Sequence, residues 1–216
     1  MPDGVDQVPQ VMGLLLAAGY SRRFGSDKLA ARVPGPPDSA PQSVLQRSAQ
    51  RLIAACPLSV AVVRHGSAHC ATLHELGFDV VELDAPHPQA RPQDEPALGP
   101  GLGDSIAAGA RRLIELRASG CVLLLGDLPF VQTATVAAVR SAVEAGASIA
   151  VACHQGQRGH PVGFAAQHLL SLTQLTGDEG ARTLLQAHAL QLQMCDVNDP
   201  GALRDIDRPE DLQLSL

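Results

Sequence analysis

Leu14-Leu15-Leu16-Ala17-Ala18-Gly19-Tyr20-Ser21-Arg22-Arg23-Phe24-Gly25-Ser26-Asp27-Lys28 begins as an apolar strand, breaks at small residues and runs into a loop carrying two arginines, two glycines and a lysine. A buried strand that stops at glycine and hands over to cations is how an α/β protein offers backbone N–H groups and positive charge to phosphates. The commonest nucleotide motifs do not describe it. A P-loop requires GxxxxGK[ST], whereas here Lys28 lies three residues beyond Gly25. A dinucleotide fingerprint requires GxGxxG, which the stretch lacks. On the residues alone, the alternative is a surface loop that happens to be basic.

Working outward, the 216 residues allow one substantial core. The chain is 45% hydrophobic and 18% charged, so it is expected to fold. With 2% aromatic residues and no Trp, the core must be Leu, Val, Ile and Ala, which suits a parallel sheet covered by helices. The few aromatics argue against single-strand nucleic-acid binding by base stacking. A net charge of −6 argues against nucleic-acid backbones and anionic membranes as partners. Five scattered cysteines without a CxxC pair read as reduced thiols in a cytoplasmic protein. No apolar run reaches the roughly 18 residues of a membrane helix. Residues 1–10 show no secretory pattern and are expected to form a flexible tail.

The element pattern starts with a strand over Val11–Ala17. A helix over Gln42–Ala55, a strand over Leu58–Val63, a short helix over Ala68–Leu76 and a strand over Phe78–Leu83 follow. Asp84–Pro100 holds five prolines and reads as a long loop, of the kind that is usually functional or mobile. A helix from Gly101 to about Leu116 leads to Cys121–Leu125, the most apolar strand and the expected centre of the sheet. Next come a helix over Thr133–Glu144, a strand over Ser148–Cys153, a turn, a strand over His160–Phe164 and a helix over Ala165–Leu172. Thr176-Gly177-Asp178-Glu179-Gly180 reads as the cap of a helix reaching about Ala189, followed by a strand over Leu192–Val197. Asp205–Leu212 reads as a short strand and then a helix with proline near its first turn. Strands alternating with helices predict an open, mainly parallel twisted sheet flanked by helices. Residues 11–216 are expected to form a single domain.

Four further stretches carry chemistry. Asp127, in Gly126-Asp127-Leu128-Pro129, follows the central strand, where open α/β sheets place ligands. It is placed either to hold Mg²⁺ or to cap the helix that follows. Gly101-Leu102-Gly103-Asp104-Ser105 is a glycine-rich turn into a helix, and by itself reads as an N-cap. His160, in Arg158-Gly159-His160-Pro161-Val162, is either a packing or a ligand-facing residue. Asp207, near the end, serves a metal or caps a helix ahead of Pro209. His65, His69, His74 and Cys70 match no strong ligand spacing and read as a polar outer helix face.

The opening loop resembles the signature LA[AG]GxSxRMGxxK of the molybdopterin nucleotidyltransferases, within the GT-A-like, Rossmann-like nucleotidyltransferases, with Phe24 in place of Met. The other segments are similar to that family's GD[MLQ]P[FL][VL], G[ML]xxS[LI]xxG, RGHPV and DIDTPEDL segments. The resemblance implies that Leu16, Ala17, Ala18, Gly19 and Ser21 meet a nucleoside triphosphate, with Arg23 and Lys28 on its phosphates. It implies that Gly101, Gly103 and Ser105 contact base or ribose, that Asp127 and Asp207 hold Mg²⁺, and that His160 faces the acceptor. Arg23, Lys28 and Asp127 are the expected catalytic groups. The Ala17-Ala18-Gly19 form resembles the cytidylyl branch, which implies transfer of CMP from CTP to molybdopterin, for delivery to a recipient molybdoenzyme. The alternatives are a guanylyl or sugar-phosphate nucleotidyltransferase, or a non-catalytic carrier of the pterin cofactor. Two stretches depart from the family pattern, the proline-rich Leu29–Ser43 and the long Asp84–Pro100.

Overall fold

The computed structural model describes residues 10–21, 24–33, 40–84 and 100–212. The expected tail, apart from Gln10, lies outside the described residues, as do Arg23, residues 34–39 and residues 85–99 of the long loop.

Strand β1 (Val11–Ala17) is buried along its whole length. Its side chains alternate between two cores, as the pleat requires. Val11, Leu15 and Ala17 join one core, and Met12, Leu14 and Leu16 the other. Both faces must therefore be covered. On the first face lie α1 (Val44–Ala55) and α4 (Thr133–Glu144), and on the second α3 (Leu102–Glu115) and α5 (Ala166–Leu172). Leu45 and Leu52 of α1 are fully buried, each worth about 2 kcal/mol of transfer free energy.

In the sheet, β1 runs parallel to β4 (Ser59–Arg64) on one side and β6 (Gly120–Leu125) on the other. Beyond β4 lies β5 (Asp79–Leu83), also parallel. Beyond β6 come β8 (Gln157–Ala165), β7 (Ile149–His154) and β9 (Leu192–Asp196). As the sequence predicts, β6 is central and the sheet is mainly parallel. The exception is β8, which inserts between β6 and β7 and runs antiparallel to both. Its cause is local. Gln155 and Gly156 both have positive φ (50° and 79°), the backbone of a two-residue hairpin turn whose twist suits the strands it joins.

Other boundaries also move for local reasons. The helix expected from Gln42 begins at Val44, because β3 (Gln42–Ser43) pairs with β2 (Arg32–Val33) as a small antiparallel ribbon. Ser43 and Gln46 then form a reciprocal capping box. The expected cap at 176–180 is not one. Helix α6 spans only Arg182–Ala187, and no side chain caps it at Ala181. Residues 205–207 pair with no strand, and two short 3₁₀ turns, Pro200–Leu203 and Pro209–Leu212, flank them. The histidine stretch departs as well. His69 is not on an outer face, since its Nε2 lies 2.7 Å from Asp27 Oδ2, tying the turn containing α2 (Cys70–Glu75) to the loop after β1. All five cysteines are free, and burial pushes the Cys56 and Cys121 thiols up to about 12. Among the described residues, no helix is long and apolar enough to cross a membrane.

Candidate active site

The site is built where β1 and β6 end side by side. The Gly126 N–H donates to the Leu16 carbonyl at 2.8 Å, so the loop leaving β1 and Asp127 leave the sheet together. The chain's last described segment then crosses this edge. The Ile206 N–H donates to the Asp127 carbonyl at 2.9 Å, and the Ile206 side chain is buried. Its two neighbours are thereby delivered to Asp127. One carboxylate oxygen from each of Asp127, Asp205 and Asp207 lies within 4.8 Å of the others.

Asp199, itself buried, anchors this strap. It accepts from the Gln132 N–H at 2.8 Å, the Thr135 hydroxyl at 2.6 Å and the Gly201 N–H at 2.9 Å. The far end is held by Asp211, which accepts from the Arg208 and Asp207 N–H groups at 2.7 and 2.9 Å. Those two bonds, Arg208 first, hold the Asp211 carboxyl below the usual aspartate range.

Lys28 enters this acidic cluster from the opposite wall. Its Nζ is 2.6 Å from Asp127 Oδ2 and 3.2 Å from Asp207 Oδ1. Burial opposes its charge, but the Asp127 carboxylate and then Asp207 outweigh it, and the ammonium is raised above the ordinary lysine value. Asp205 is raised too, first by loss of water around it and then by the Asp127 charge, although its side chain reaches the surface. Among the described residues, Asp127 Oδ1 is buried without a hydrogen-bond partner. A hard divalent cation fits this donor set, because oxygen ligands are what it takes and the orphaned oxygen is one. A lysine already held among the carboxylates shows that the cluster stabilises positive charge.

A cleft of about 320 Å³ opens beside the cluster. Of the residues expected there, Leu16, Ala17, Ala18, Gly19, Lys28, Gly101, Ser105 and Asp127 line it. Ser21 does not; its hydroxyl accepts from the Lys28 N–H at 3.0 Å and so closes the loop that aims the lysine. Gly103 is set back from the cleft, and its N–H donates to the Gly177 carbonyl at 2.7 Å. A Cβ on Gly103 would stand 2.6 Å from the Thr176 carbonyl oxygen, so the glycine lets two loops meet. Ser105 lines the cleft, with its hydroxyl donating to the Gly101 carbonyl at 3.1 Å. His160 does not line it. It lies within β8, where burial of its ring pushes the imidazole down to about 4, and among the described residues its Nδ1 has no hydrogen-bond partner.

Two lining or clustering carboxylates, Asp178 and Asp205, were not singled out from the sequence. Asp205 had a readable signal, since Asp205-Ile206-Asp207 alternates polar, apolar, polar, which puts both carboxylates on one side of an extended strap. Asp178 had none beyond a turn-like composition.

A glycine-ended loop, a facing helix start and a carboxylate cluster at the carboxyl edge of a mainly parallel sheet define a nucleotide-binding α/β protein. Residues 13–192 match the MobA-like NTP transferase domain, and the chain belongs to that family of nucleotidyltransferases. It is 32% identical over 213 residues to the purine catabolism protein PucB of Bacillus subtilis (strain 168), covering 95% of this chain and 96% of that one. Its fold is shared with Rv0371c of Mycobacterium tuberculosis H37Rv, with a TM-score of 0.71 at 24% identity, covering 94% of this chain and 95% of that one. A manganese complex of Rv0371c matches with a TM-score of 0.65 at 23% identity, covering 94% and 95%.

Proposed function

We propose that this protein is a Mg²⁺-dependent cytidylyltransferase that moves CMP from CTP to the terminal phosphate of molybdopterin. The observation that carries this reading is the cluster of Asp127, Asp205 and Asp207 around a lysine at the foot of a nucleotide-sized cleft. In the reaction, an acceptor phosphate oxygen bonds to the α-phosphorus of CTP. The bond from that phosphorus to the bridging oxygen breaks, and pyrophosphate takes the electron pair.

The nucleophile is already an anion, so the protein need not supply a strong base. It must hold the reactants in line and neutralise charge on the leaving group. Asp127 and Asp207, with Asp205 beside them, would hold the metal, which when bound supplies that neutralisation from the carboxylate side. Lys28 and Arg23 are the cations we assign to the triphosphate, and a cation held by Asp127 and Asp207 would leave the Lys28 ammonium available to a phosphate. The Ala17-Ala18-Gly19 backbone and Gly101 flank the nucleoside. His160, which does not line the cleft, is assigned to the acceptor side. The site draws on residues from both ends of the chain, which supports residues 11–216 acting as one domain. The purine-catabolism name of the Bacillus subtilis relative supports a recipient enzyme of that kind, loaded in the cytoplasm.

The test is pyrophosphate release with molybdopterin, Mg²⁺ and each of CTP, GTP, ATP and UTP. Release with CTP above the others is the expected result. Release with GTP makes the protein a guanylyltransferase, and pterin binding without release under any condition makes it a carrier.

A further inference from the structure

Asp178 lines the nucleotide cleft, yet the fold gives it nothing to hold. The turn containing it does not cap α6, whose start at Ala181 is served by no side chain. Among the described residues, the Asp178 carboxylate makes no hydrogen bond or ion pair. Its Oδ1 lies 2.6 Å from where a Cβ on Gly101 would stand, so it occupies space that only a glycine leaves open. The neighbouring Gly177 carbonyl is fixed by the Gly103 N–H at 2.7 Å, which holds this turn against the start of α3.

Charge then orients the nucleotide. Lys28 and the three carboxylates that would hold a divalent cation mark the phosphate end of the cleft. Asp178 lies outside that cluster, beside Gly101, and a carboxylate with no cation to share repels phosphate. It is therefore assigned to the nucleoside half, where it can only accept. We propose that Asp178 is a specificity-determining residue whose carboxylate accepts a hydrogen bond from the nucleoside, either from the cytosine 4-amino group or from the ribose 2′-hydroxyl. This rests on the cytidylyl reading. Asp178 is exposed without a ligand, and a nucleoside seated in the cleft would take its water away. A bound nucleotide lacking the donor would then leave the carboxylate unpaired, and UTP would also turn a carbonyl oxygen toward it. A group covered in this way rejects analogues without the donor more strongly than an apolar wall does.

The experiment is calorimetric titration of CTP, UTP and 2′-deoxy-CTP, with Mg²⁺ and no acceptor, into the wild type, Asp178→Asn and Asp178→Ala. Melting without nucleotide verifies the fold, and Asp178→Asn, which keeps the shape, serves if Asp178→Ala does not fold. The wild type is expected to prefer CTP by about tenfold or more over the analogue that lacks the donor. Asp178→Ala, which has no acceptor, loses that preference, and Asp178→Asn, which keeps one neutral acceptor oxygen, reduces it several-fold. If the donor is the 4-amino group, Asp178→Asn also binds UTP more tightly than the wild type does, because its amide can donate. If the donor is the 2′-hydroxyl, the preference over 2′-deoxy-CTP is the one that collapses. Unchanged preferences, or equal weakening toward all three nucleotides, overturn the inference while leaving CTP binding in place. A wild type that does not bind CTP overturns the cytidylyl reading, and this inference with it.

Discussion

Lys28 is the residue on which the site's electrostatics turn. Its ammonium is held by two carboxylates, and its raised value means the ion pairs persist below the ordinary lysine range and fail only as pH rises through that raised value. Around neutral pH the lysine therefore stays charged, as the phosphate role proposed for it requires. Replacing Lys28 by Met should weaken CTP binding far more than cytidine binding, and equal losses in titrations of the two would contradict a phosphate role. Asp127→Asn keeps the shape but removes the charge and an oxygen proposed to hold the metal. Turnover should fall by about 10³ or more with the melting temperature nearly unchanged, and an active variant would remove Asp127 from the site. His160 has a different signature. Burial lowers its folded value from 6.5 to about 4, so the unfolded chain binds the extra proton in that window. Stability contributed by the neutral ring is whole above the unfolded value and is lost as pH falls from there to about 4. Between pH 7 and pH 5 this amounts to about 2 kcal/mol, and His160→Gln should melt with a flatter pH dependence over the same range.

At the scale of elements, the strap from Asp199 to Asp211 decides whether the carboxylates meet. Asp199 satisfies two backbone N–H groups and a buried hydroxyl, so Asp199→Ala leaves all three without their acceptor. A loss of about 3 kcal/mol in denaturant unfolding is expected, together with weaker Mn²⁺ binding as Asp205 and Asp207 drift from Asp127. A variant that unfolds like the wild type would show that the strap is held elsewhere. Legibility differed sharply between elements. The boundaries of β1 and α4 coincide with the apolar periodicity because nothing outside those segments competes for them. Thr176–Gly180 was misread as a cap because Gly and Asp suit a helix start and a loop docked on another loop equally well. The docking partner, Gly101–Gly103, is more than 70 residues away in the chain.

Across the whole molecule, the walls of the cleft come from β1 and the loop after it, the start of α3, the end of β6 and the turn at Asp178, with the carboxylates of the final strap beside them. Removing divalent metal should therefore act on the site without unfolding the sheet. EDTA is expected to stop pyrophosphate release, and Mg²⁺ or Mn²⁺ to restore it, with far-ultraviolet circular dichroism unchanged throughout. Activity that survives chelation would contradict the carboxylate cluster's role.

The sequence by itself determined the parallel half of the sheet and the loop after β1. Both are written in contiguous residues, an apolar run and a break at Gly19 followed by cations, whose physics is local. It also marked Asp127 and Asp207 as carboxylates of interest. Only the tertiary structure decided that Lys28 rests between those two, that Asp205 joins them, and that Asp178 faces the cleft instead of a helix. Those outcomes depend on contacts between segments as far apart as Lys28 and Asp207, 179 positions in the chain. Side-chain type and spacing carry no record of such distances until the sheet brings the segments to one edge.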